Sequence, residues 1–96
     1  MIEIKNVYHE VIYTSEKLTV KEAIEEAVSK KISLIYADLR GADLRGVNLR
    51  GANLREADLS RVNLVGANLS EVDLRGANLS GANLNKKRNS KILLLL

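Results

Sequence analysis

Asp38 and Asp58 lie twenty residues apart, and two carboxylates brought side by side can share a proton and do general acid–base work. Arg40, Arg45, Arg50 and Arg55 follow one another at intervals of five, a set that could contact phosphate or an acidic protein surface. Gly41, Gly46 and Gly51 keep the same interval, so they belong to a repeat and do not form a phosphate-cradling loop. His9 is the only histidine and no serine stands beside it, which makes it a turn or surface residue and leaves no all-histidine zinc site. Cysteine is absent, excluding disulfides, thiolate metal ligands and a cysteine nucleophile. No catalytic constellation, cofactor or metal is expected, and the chain does not read as an enzyme.

Whatever positions these side chains must be built from 96 residues, enough for one small domain. Pro, Trp and Phe are missing. The core must therefore be aliphatic, and the aromatic platforms of single-stranded nucleic-acid binders are lacking. The net charge of +3 is unevenly placed. Residues 1–33 hold five Lys and six Glu, and residues 34–84 hold six Arg against four Asp and two Glu. Lys86, Lys87, Arg88 and Lys91 supply the basic excess. The body is near neutral, so direct nucleic-acid binding is not expected. No apolar run reaches the roughly 18 residues of a membrane span, and Met1-Ile2-Glu3 does not open a signal peptide. The expected compartment is the cytoplasm.

Internal repetition dominates the second half. Leucine stands at 34, 39, 44, 49, 54, 59, 64, 69, 74, 79 and 84, eleven times at a spacing of five. Two places before each, from Ala37 to Ala82, stands Ala or Val, and one place before stands Asp or Asn. Five residues advance an α-helix by about 500°, so the leucines would spiral around it. On a strand an odd spacing sends them alternately to both faces. The chain must turn once per unit so that every leucine meets a common axis, which describes a solenoid. Ala points inward beside each leucine, while Asp or Asn faces outward and bonds nearby backbone at the turn. Leu39, Leu44, Leu49, Leu54, Leu59, Leu64, Leu69, Leu74 and Leu79 are the predicted core.

The tandem A-(D/N)-L-x-x unit over residues 34–84, with Ile32-Ser33-Leu34-Ile35-Tyr36 as an imperfect first copy, resembles the pentapeptide repeat proteins. That resemblance implies a mainly β fold, a right-handed quadrilateral β-helix with four units per coil. Leucines would stack in columns twenty residues apart, for example Leu34, Leu54 and Leu74. With strands about 4.8 Å apart the solenoid would be a stub about 13 Å tall. Asp38 and Asp58 would share a column, with Arg40 and Arg61 near enough to neutralise them. The four arginines from Arg40 to Arg55 would decorate successive sides, with Arg75 above Arg55. A solvated surface of interleaved charge accounts for this ring more simply than a dedicated anion site. Some members of the family mimic DNA and bind type II topoisomerases. The alternative reading is accordingly a nucleic-acid mimic, from a bacterium or phage, that inhibits a host topoisomerase or CRISPR-type defence complex. Such mimicry depends on a long acidic rod, whereas this solenoid is short and neutral. The first reading is a non-enzymatic homodimer acting by protein–protein contact, with Arg40, Arg45, Arg50, Arg55, Asp38 and Asp58 as partner contacts.

A short solenoid exposes apolar ends that need covering. Residues 1–31 read as an N-terminal hairpin and capping helix, residues 32–85 as the β-helix, and residues 86–96 as a basic then apolar tail. The hairpin turns near Val7 to His9. Thr19-Val20-Lys21-Glu22 matches a helix-starting capping box, and Val20, Ala23, Ile24, Ala27 and Val28 line one apolar face. Lys30 and Lys31 suit a helix C-terminus. This helix seals the first coil, or else offers a binding face to another protein. At the other end Ile92, Leu93, Leu94, Leu95 and Leu96 either plug their own last coil or pair with a second chain; a membrane-touching tail is the remaining reading.

Overall fold

In the computed structural model, which describes residues 1–84, the chain starts with strand β1 (Ile2–Lys5) running antiparallel to β2 (Val11–Ser15). Ile2 faces Ser15 and Ile4 faces Tyr13, and the register shifts between Ile4 and Lys5. Asn6 organises the turn. Its Oδ1 accepts from the amides of Tyr8 and Glu10, and its Nδ2 donates to the Glu10 carboxylate. With three bonds satisfied, this amide side chain can be buried. His9 takes a left-handed φ of 69° in the same turn.

Helix α1 (Val20–Ser29) follows, capped by Thr19, whose Oγ1 accepts from the Glu22 amide. The capping box is only half formed: the Glu22 carboxylate accepts from the Thr19 hydroxyl instead of reaching back to the Thr19 amide. Ala23, Ile24 and Ala27 are buried on one face. At the far end the Ile32 amide donates to Ala27 and the Lys31 amide to Val28. These two bonds make a Schellman stop, with Lys31 in the left-handed position (φ 60°) that glycine usually takes. Lys30 and Lys31 therefore lie just beyond the last helical turn, which itself holds no basic residue.

From Leu34 onward one coil takes twenty residues. Asp38 bridges Asp58, Asp43 bridges Asn63, Asn48 bridges Asn68 and Asn53 bridges Asp73, all in parallel. Strands β3 (Asn63–Leu64) and β4 (Asn83–Leu84) continue one column. Regular strands are short because each side of a coil has five residues and the turn consumes most of them. Within every unit the Ala or Val amide donates to the preceding leucine carbonyl, from Ala37 on Leu34 to Ala82 on Leu79. The residue just before that Ala or Val has positive φ at all ten of these turns, from Tyr36 to Gly81. A 1→4 bond with positive φ at the third position is the signature of a type II turn. Six of these corners are glycine, while Tyr36, Glu56, Arg61 and Glu71 accept a conformation that costs an L-residue about 1–2 kcal/mol.

Between coils the backbone bonds itself. Leu39 donates to Asp58, Gly41 to Ser60, and Asp58 back to Ala37, and the same trio recurs on other sides. Leu34, Leu44, Leu49, Leu54, Leu59 and Leu64 are fully buried, with Leu39, Leu69 and Leu74 nearly so. Leu79, in the last described coil, is only half-buried, as is Leu84. The N-terminal segment continues the ladder below. Asn6 bridges Ala37 antiparallel, Asp38 donates to the Lys5 carbonyl, and Val7 donates to that of Tyr36. From α1, the Glu25 carboxylate accepts the Asn48 amide at 3.0 Å. Ile24, Ala27 and Leu34 belong to one apolar cluster. The tail, with Ile92 to Leu96, lies outside the described residues.

Candidate functional site: the outward columns of the coils

The Asp or Asn of each unit points outward and turns back on the chain. Its Oδ1 accepts from the amide two residues ahead, as Asn48 does for Arg50, Asn68 for Ser70 and Asp73 for Arg75. This Asx turn holds the start of each corner and explains why Asp and Asn alternate freely there. Where the residue two ahead is arginine and the turn residue is Asp, the guanidinium folds back as a fork. Arg40 binds Asp38 at 2.8 Å through both Nε and Nη2, and Arg45 binds Asp43 in the same way. Arg75 holds Asp73 at 3.0 and 2.7 Å.

These forks set the charge of the surface. Hydrogen bonds from their own arginines hold the carboxyls of Asp38 and Asp43 below the usual range. The Arg75 bond brings Asp73 down to about 2, helped by Arg55. A depressed folded pKa stabilises the fold above the unfolded value, and that contribution disappears as pH falls through the folded value. For Asp73 the window runs from about 3.8 down to about 2. Thermal melting is therefore expected to be level from pH 5 to 8 and to fall below about pH 4. Asp73→Asn should keep the Asx turn, as Asn does in neighbouring units, and should flatten part of the acid decline. Melting curves of the two chains between pH 2 and 7 check this. An identical acid decline in both would assign it to other groups.

The carboxylate pair exists in space but is not free for proton exchange. Asp38 and Asp58 are bridged neighbours. Arg40 grips the first and lies 3.9 Å from the second. Asp58 Oδ1 also accepts from the amide and hydroxyl of Ser60. Arg61 takes no part: at a corner two residues beyond its leucine it points along the column toward Gly81, whose added Cβ would meet Arg61 Cγ at 3.4 Å. Looser pairs join coils, with Arg50 on Glu71 and Arg55 on Asp73, each at 3.7 Å. Arg75 stands above Arg55 with Asp73 shared between them.

Two features at the N-terminal end carry no signal in the repeat. Tyr8 and Tyr36 meet with ring centroids 5.4 Å apart on the surface. Tyr13 of β2 donates its hydroxyl to Glu26 of α1 at 2.6 Å. That bond raises the tyrosine and lowers the glutamate, whose charge Ser15 also supports. Among the described residues no group of three or more His, Asp or Glu could hold a metal, and no helix is long and apolar enough to cross a membrane.

The periodic Asx turns and left-handed corners agree with a comparison of whole families. The model of pentapeptide repeats matches residues 27–51 and 52–86, in eight copies. The chain belongs to the pentapeptide repeat family. Pentapeptide repeats wind into β-helix solenoids, and the twenty-residue parallel ladder is how this chain does so. Among solved structures it is similar to a pentapeptide repeat protein, Rfr23, from the cyanobacterium Cyanothece 51142. The two are 33% identical with a TM-score of 0.34, over 57% of this chain and 45% of that one. No curated protein matches the chain.

Proposed function

We propose that this pentapeptide repeat protein is a non-enzymatic interaction module. In this reading it is a small right-handed β-helix of square section, with residues 1–31 as its N-terminal cap, residues 32–85 as the solenoid and residues 86–96 as a tail. It acts in the cytoplasm as a homodimer that engages another protein. One observation carries this reading: inward positions are apolar and backbone groups bond from coil to coil, so function falls to the outward side chains. Arg50 and Arg55, in the looser pairs, are the arginines freest to exchange an internal carboxylate for a partner's. Forks on Asp38, Asp43 and Asp73 neutralise the acidic positions one by one, which favours protein contact over nucleic-acid mimicry.

The dimer reading rests on a burial gradient. Leu59 and Leu64 are fully enclosed, whereas Leu79 and Leu84 at the last described coil keep exposed surface that a second copy would cover. Light scattering at micromolar concentration should give twice the 10.6 kDa chain mass, with no loss in higher salt, since apolar contact is not screened. A chain ending at Asn89 loses Ile92 to Leu96, the apolar run that this reading pairs between the two copies, and should run as a monomer. A monomeric full chain would reject the dimer, and a dimer unaffected by truncation would move the interface off the tail.

A further inference from the structure

Four of the solenoid's turn corners are left-handed without being glycine, and each has a neighbour beside it or along its column. Tyr36 rests on Tyr8, Glu71 faces Arg50, and Glu56 lies over Gly76. Arg61 (φ 59°) lies against Gly81 in the same way, and its guanidinium makes no hydrogen bond or ion pair among the described residues. Its corner neighbours along the column are Gly41 and Gly81, and a Cβ at Gly41 would meet nothing within 4 Å. The arginine stem therefore leans toward Gly81, and Arg61 lines an open groove with Asp38, Arg40, Ser60 and Ser80.

The serines give this groove a second character. Ser60 donates its hydroxyl to Asp58 at 2.7 Å and Ser80 donates to Asn78 at 2.6 Å. With both protons committed, the two oxygens present lone pairs. The groove thus combines five guanidinium N–H donors that have no partner among the described residues with two hydroxyl acceptors. A matching ligand needs a planar pair of acceptor oxygens next to an N–H donor. An acidic side chain on an extended peptide has both, for its own backbone amides stand beside the carboxylate. A phosphodiester offers acceptors alone, and its repeated charge would run over Asp38 and Asp58.

We infer that this groove docks an acidic residue of an extended segment of the partner protein, with Arg61 gripping the carboxylate through two parallel bonds. The inference rests on the interaction reading above and names the chemistry of the partner. Its test is an NMR titration of the full chain with the blocked peptide Gly-Ser-Glu-Ser-Gly, its Gln counterpart and inorganic phosphate. The Glu peptide should shift the amides of Gly41, Arg61 and Gly81 with a dissociation constant weaker than about 1 mM, since an exposed ion pair contributes little. The Gln peptide should not. Arg61→Gly should abolish the response while melting no lower than the parent, because glycine relaxes the corner. A response that survives Arg61→Gly, or phosphate acting as strongly as the Glu peptide, would overturn the site. Silence with every probe would also overturn it, while leaving self-association to be judged by light scattering.

Discussion

A chain carrying Leu59→Arg should fail to fold, whereas one carrying Ser60→Arg should melt within a few degrees of the parent. Leu59 is fully enclosed, with leucines one coil below and above it. Truncating such a leucine costs about 2–5 kcal/mol, and an unpaired buried charge adds several more. A small domain has only about 5–15 kcal/mol in total, so the charge wins. Ser60 faces out in the position where Arg40 and Arg45 fold back on their own Asx residues, and Asp58 is in place to receive the new guanidinium. Circular dichroism melts of both chains decide the matter. Equal loss in the two would reject the inward stacking of leucines.

The second large effect is expected at the N-terminal end. Ile24→Asp should be nearly as damaging as the change at Leu59, because Ile24 has no exposed surface and shares its apolar cluster with Leu34 of the first coil. If α1 were instead a free binding face, an aspartate there would be tolerated. Glu25→Ala gives the scale for comparison. It removes only the carboxylate that accepts the Asn48 amide and should cost about 1 kcal/mol. Chemical denaturation of the three chains checks the order. A parent-like midpoint for Ile24→Asp would separate the helix from the solenoid core.

The leucine ladder was legible because a period of five excludes both helix and flat strand, and residue type repeats with it. Asp and Asn declared their outward turn role through the same period. Glycine, however, marks only part of the left-handed corners. Tyr36, Glu56, Arg61 and Glu71 take the same backbone with no glycine to announce it, since coil-to-coil bonds impose the conformation whatever the side chain. Pairing of charges was legible at two-residue spacing, where Arg40 reaches Asp38. It misleads at three, where the spacing suggests that Arg61 neutralises Asp58: one corner separates them, and the Arg61 stem leans toward Gly81. Contacts between the N-terminal segment and the first coil, such as Asn6 with Ala37 and Glu25 with Asn48, join segments that share no pattern. Nothing in either stretch alone could reveal them.

Twenty residues per coil is the claim on which the outward columns, the Arg61 groove and the dimer end all depend. The chain has no cysteine, so engineered pairs can test it without background. Ser60→Cys with Ser80→Cys places two thiols one coil apart on the same side, within the separation a disulfide requires. Ser60→Cys with Ser70→Cys places them half a coil apart, across the leucine core. Under mild oxidation of dilute protein, the first pair should form an intramolecular disulfide at near-complete yield and the second should stay reduced. Oxidation of the 60/70 pair with a reduced 60/80 pair would contradict the twenty-residue coil.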